Sequence, residues 1–113
     1  MAEYPYRERF LHVAFLWSGT PKIAELEPLF NTALGWYRYA PNCWLLWTNN
    51  GPDVWYGAIA SHMTRADNVV IAEIVFDHVP KTYQGWYNKG LWDWIDQRRD
   101  GGTYSPWDRS LKG

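Results

Sequence analysis

Three histidines, one thiol, two closely spaced carboxylate pairs and a large set of aromatic rings are the side chains of this 113-residue chain that could do chemistry. A zinc site needs His or Cys ligands at short regular spacing, and nucleophilic catalysis needs a base beside the nucleophile. His12, His62 and His78 have no His four residues away, no Glu-x-x-His setting and no Cys nearby. No metal, cofactor or catalytic residue is therefore assigned. His12 sits in an apolar run and could meet Glu73 on a neighbouring strand, as a buried polar pair or as a general acid and base. The polar pair is the simpler reading. Asp77 beside His78 offers a second acid–base couple, while Asp93 with Asp96 and Glu25 with Glu27 have the pattern of solvated helix faces. Cys43 is followed by Trp44, Leu45 and Leu46, the setting of a buried thiol, and as the single Cys it excludes an internal disulfide.

Recognition is the other chemistry these residues could serve. Ser18-Gly19-Thr20 precedes an expected helix, where backbone N–H groups and two hydroxyls can receive an anion. The chain holds nine Trp and eight Tyr, and GWYNKGLWDWID, residues 85–96, contains Trp86, Tyr87, Trp92 and Trp94. Rings on strands or in Gly-bounded loops, with a cation close by, can stack on nucleic-acid bases. The residues expected to contact such a ligand are Trp17, Ser18, Thr20, Arg38, Tyr39, Trp47, Trp86 and Lys89. Within this set Trp86 and Tyr39 should line a pocket, with Lys89 or Arg38 supplying positive charge. An aromatic core or a dimer interface accounts equally for the ring count.

The elements that must position these groups follow from periodicity. FLHVAFLW, Phe10–Trp17, is apolar on both faces and predicts a central strand. Thr20 and Pro21 predict a helix cap and first turn, Ile23, Leu26, Leu29, Phe30 and Ala33 follow at helical spacing, and Gly35 is the expected C-terminal cap. Pro28 falls inside it, where a kink or an irregular turn is expected. WYRYAPNCWLLWT, Trp36–Thr48, predicts a hairpin turning at Pro41 and Asn42. A second helix over Asp53–Met63 should lay Val54, Gly57, Ala58 and Ala60 or Ser61 close to the sheet. NVVIAEIV, Asn68–Val75, is too apolar for an edge strand with one wet face and should lie beside the first strand. In the aromatic segment a helix from about Lys89 puts Leu91, Trp94 and Ile95 on its docking side. The order is an α+β, ferredoxin-like βαββαβ sandwich, with an antiparallel sheet, helices on one face and an added aromatic C-terminal helix. An N-terminal arm should span residues 1–9, the domain 10–97, and a partly ordered tail 98–113.

Three phrases, GWYRYAPNCWLLWT at 35–48, ADNVVIAEI at 66–74 and GWYNKGLWDWI at 85–95, resemble the SinR-like small proteins of the CRISPR-associated, Cas-two-like ferredoxin-fold group. The resemblance implies a ferredoxin-like fold and a dimer built on the open sheet face. In the nuclease-type relatives the first strand ends in an aromatic residue followed by a metal-binding Asp, and here Trp17 is followed by Ser18. A neutral hydroxyl does not hold a divalent cation as a carboxylate does, which argues against metal-dependent cleavage by that route.

Charge narrows the partners. Eleven Lys and Arg against twelve Asp and Glu leave no global field for a long polyanion or an anionic membrane. No apolar run reaches the roughly 20 residues of a membrane span, and no signal peptide opens the chain, so a cytoplasmic location is expected. These features together predict a non-enzymatic homodimer that holds a nucleotide-like small ligand or a short single strand in an aromatic pocket. A phage-type protein that sequesters a host defence signal would suit them. The alternatives are a degenerate nuclease using Glu73 with His12 or Asp77 with His78, and a protein-interaction subunit without a small ligand.

Overall fold

The computed structural model describes residues 8–76 and 82–101, so Asp77, His78 and residues 102–113 lie outside it. In chain order the elements are β1 (Arg9–Leu16), α1 (Ile23–Phe30), β2 (Gly35–Ala40), β3 (Cys43–Thr48), α2 (Pro52–Ala60), β4 (Asn68–Ile74) and α3 (Lys89–Gly101). The sheet order is β2-β3-β1-β4, with every neighbouring pair antiparallel. Each helix crossover skips one strand, β1 to β2 and β3 to β4, which is the ferredoxin-like arrangement expected from the element order.

Side-chain alternation splits the sheet into two faces. Leu11, Val13 and Phe15 of β1 and Trp44 and Leu46 of β3 point to α1 and α2, meeting Leu26, Phe30, Trp55 and Ile59 in one buried cluster. Phe10, Leu45 and Trp47 point the other way and are covered by Phe76 and by Leu91 and Ile95 of α3. The C-terminal helix thus closes the lower half of a face that would otherwise be wet. The upper half stays open, where Leu16 is 67% and Val70 64% exposed.

Several local expectations are corrected. Thr20 does not cap α1: the helix begins at Ile23 after Lys22, with no side-chain cap. The turn before it is held elsewhere, because the Ser18 N–H and hydroxyl both donate to Asp67 Oδ1 at 2.9 Å. Gly35 is no helix cap either, since α1 ends at Asn31 and Gly35 opens β2. A Cβ at Gly35 would stand 3.1 Å from the Arg98 guanidinium, so the missing side chain lets α3 approach the strand. Helix α2 turns Trp55 and Ile59 inward, whereas Val54 and Gly57 are exposed. The indole N–H of Trp55 reaches Thr48 Oγ1 at 3.0 Å, which explains why the large residue and not the small ones faces the sheet. β4 does lie beside β1, yet it is an edge strand: Val69 and Ile71 pack inward while Asn68, Val70 and Ala72 are exposed. Finally, α3 continues through Arg98 and Arg99 to Gly101, past the last apolar residue of its docking side.

Candidate functional site

The segment from Thr82 to Asn88 has no regular structure and crosses the half-covered sheet face between two sets of anchors. At its start Thr82 donates to the Val75 carbonyl, and Tyr83 packs edge-on to Phe76 at 5.1 Å and accepts from Arg99 at 2.9 Å. At its end the Tyr87 hydroxyl donates to the Tyr39 carbonyl, and the Trp92 indole N–H donates to the Tyr87 carbonyl at 3.2 Å. Asn88 then caps α3, its Oδ1 accepting from the Leu91 N–H at 3.2 Å. Between these anchors lies Trp86, 96% exposed.

Under this arch is a cavity of about 300 Å³, lined by His12, Tyr39, Leu45, Ile74, Phe76, Gln84, Gly85, Trp86, Tyr87, Leu91, Trp92 and Ile95. Its walls are apolar and aromatic, and its floor is polar. His12 on β1 and Tyr39 on β2 project to the same side, with His12 Nε2 hydrogen-bonded to the Tyr39 hydroxyl and the two rings stacked at 5.6 Å. Burial lowers the His12 pKa, which favours the neutral ring. Burial first, and then the hydrogen bond and charge of neighbouring Cys43, push Tyr39 up to about 12. Both groups are therefore neutral near pH 7, a donor–acceptor pair and not a charge pair.

The expected pairing of His12 with Glu73 does not form. The register sets Ala72 opposite His12 and Glu73 opposite Leu11, so Glu73 points to the helix side. There its Oε1 lies 3.9 Å from Arg9 Nη1. His62 faces Glu25 across 3.4 Å, and among the described residues no three His, Cys, Asp or Glu side chains converge as a metal site. The Asp77–His78 couple lies outside the described residues.

The eight residues expected at a ligand site do not share one location. Tyr39 and Trp86 line the cavity. Trp47 lies beneath it as buried core, 4.8 Å from the Phe10 ring. Trp17 is on the helix side, stacked on Phe15 at 4.6 Å. Arg38 also faces the helix side, its guanidinium 5.2 Å from the Trp44 ring and donating to the Pro41 carbonyl. Lys89 pairs with Asp93 at 2.8 Å on the exposed side of α3. Thr20 is exposed in the turn before α1. The anion place expected at Ser18 is taken by a carboxylate of this chain: Asp67 accepts from Ser18 and from the Thr64 N–H, and these bonds hold its pKa at about 2.

His12 also lines this cavity, bonded to Tyr39 and not to the Glu73 that the sequence sets beside it. Tyr87 and Trp92 stand in the same aromatic segment as Trp86. A second cavity of about 360 Å³, between α2 and the start of β4, is lined by Tyr56, Arg65 and Asp67 among others. It lacks the stacked walls of the first. No protein family, curated protein or solved structure matches the chain. No helix among the described residues is long and apolar enough to cross a membrane.

Proposed function

We propose that this is a non-enzymatic binding protein for a nucleotide-like ligand, whose ring system enters the cavity beneath Trp86. The observation that carries the reading is the position of Trp86: a ring of this size left almost wholly in water, on a segment anchored at both ends, beside an aromatic-walled cavity. An indole gains free energy by leaving water, so its exposure in the free protein is consistent with a partner that covers it. A short single strand laid across the same rings is the larger version of this ligand, and the near-neutral chain favours the smaller one. Sequestration of a signalling nucleotide, a phage-type role that rests on analogy, needs no more than this site.

Self-association is the second part of the proposal. Leu16 and Val70 leave an apolar strip on the open upper half of the sheet, and the SinR-like resemblance implies a dimer on that face. A native mass spectrum of protein purified from cells reports both properties. A dimer mass carrying a retained nucleotide-sized adduct supports the proposal. A ligand-free monomer, together with no quenching of Trp fluorescence by a panel of nucleotides and short oligonucleotides, contradicts it. Degenerate nuclease activity would show instead as turnover that requires a divalent metal.

A further inference from the structure

The charge distribution around the cavity says which part of the ligand it holds. None of the described lining residues is Lys, Arg, Asp or Glu. Among the described residues, the cations on the flanking elements are engaged elsewhere. Arg98 donates to the Trp94 carbonyl with its guanidinium 4.3 Å from that ring, Arg99 binds Asp96 at 2.6 Å, Lys89 binds Asp93, and Arg38 is on the other face. A phosphate placed in this cavity would lose its hydration with no cation from these residues in return. The volume, about 300 Å³, is at the lower end of the roughly 300–1,000 Å³ usual for small-molecule sites. It suits one flat ring system with little beyond it.

We propose that the cavity recognises the uncharged part of its ligand, a nucleobase or nucleoside ring held between apolar walls with its polar edge on His12 and Tyr39, while any phosphate stays in solvent. The floor has the required capacity. The Tyr39 hydroxyl is shared between His12 Nε2 and the Cys43 thiol, so the free group of the floor is His12 Nδ1, which accepts when the ring proton is on Nε2 and donates when it is on Nδ1, with the second lone pair of the Tyr39 oxygen as a further acceptor. Edge-reading by a neutral pair inside apolar walls gives specificity through the cost of leaving those polar groups unmatched. This inference rests on the nucleotide-binding reading above, and it fails separately from it.

Calorimetric titration of the full chain with the common ribonucleosides and their 5′-monophosphates, at low and high salt, tests both. For the base that binds, nucleoside and monophosphate should agree within about threefold, and salt should change neither by more than that. Tyr39→Phe should weaken nucleoside binding about tenfold, the usual effect of one lost hydrogen bond, while the variant stays folded with a slightly lower melting temperature because the bond to His12 is lost as well. His12→Asn serves as a second probe of the same floor. A monophosphate preferred by more than about tenfold, with affinity falling as salt rises, would overturn the inference and leave the nucleotide reading intact. Unchanged nucleoside affinity in both folded variants would overturn the edge-reading. Binding by none of these probes removes the nucleotide reading and this inference with it.

Discussion

The two faces of the sheet use the same kinds of residue and end in different states. On the helix side, Trp44 is fully buried between Phe15 and Phe30, and Trp55 closes the cluster with its indole N–H satisfied. On the other side, Phe10, Trp47, Leu91 and Ile95 form an equally dry core over the lower half, but at its border lie a cavity with a His–Tyr floor and an exposed Trp, and beyond it the open strip at Leu16 and Val70. The difference comes from the covering element. Two helices with whole apolar sides cap the first face, whereas α3 is a single helix and the irregular arch at Thr82–Asn88 spans only part of what it leaves. Aromatic richness alone therefore does not distinguish core from site. The cover does.

The comparison can be broken most easily at its dry extreme. Trp44→Ala should destabilise by about 3–5 kcal/mol, the range for truncating a fully buried large ring. Chemical denaturation gives the number, and a loss below about 1 kcal/mol would mean that the helix-side core is not what holds the fold. Trp94 is an intermediate case. It is packed edge-on to Phe10 at 5.9 Å and covered by Arg98, yet only half-buried. Trp94→Ala should therefore lose about 2 kcal/mol, part of it the cation–π contact, and less than Trp44→Ala in the same assay.

Smaller effects test the electrostatics. Burial lowers His12 below its ordinary value of 6.5, so the folded state favours the neutral ring. The unfolded chain then takes up its proton first, and stability is complete above about pH 6.5 and declines as pH falls toward the lower folded value. Melting temperatures between about pH 5 and pH 8 should show this decline in the native chain and lose that component in His12→Asn. Asp67 has the usual carboxylate sign. Its pKa falls from an ordinary 3.8 to about 2, so its contribution is present above pH 3.8 and is lost as pH drops toward 2. Asp67→Asn should flatten that acid limb, as followed by circular dichroism. An unchanged limb would mean that the Ser18 and Thr64 contacts do not persist in solution.

Much of this organisation was legible in local sequence. The apolar rows of Phe10–Leu16, the Pro41–Asn42 turn and the Leu26–Phe30 spacing are short-range patterns, and each leads to the element observed. What was not legible depends on partners distant in the chain. Thr20 looks like a cap until Ser18 is tied to Asp67, 49 positions away. Gly35 looks like a helix end until Arg98 is laid against it. Glu73 looks like a partner for His12 until the β1–β4 register is set, because a shift of one residue sends a side chain to the other face. The candidate site shows the same division. Exposure of Trp86 followed from its Gly-bounded loop, and Tyr39 from strand alternation. Lys89 and Arg38 are near these rings in the chain, but Lys89 pairs with Asp93 on the exposed side of α3, and Arg38 faces the helix side, opposite Tyr39 as strand alternation predicts.

Trp86→Ala tests the contrast between the faces most directly, because it asks whether an exposed ring is architecture or recognition surface. Melting curves and calorimetric titration against the nucleotide and oligonucleotide panel should be made on the same preparation. The stability of the variant should stay within about 0.5 kcal/mol of the native chain, as for a surface residue, while ligand binding weakens by about 1–3 kcal/mol, the worth of one base-on-ring contact. Unfolding of the variant, or native affinity for the ligand after the ring is gone, would contradict the account and return Trp86 to the scaffold.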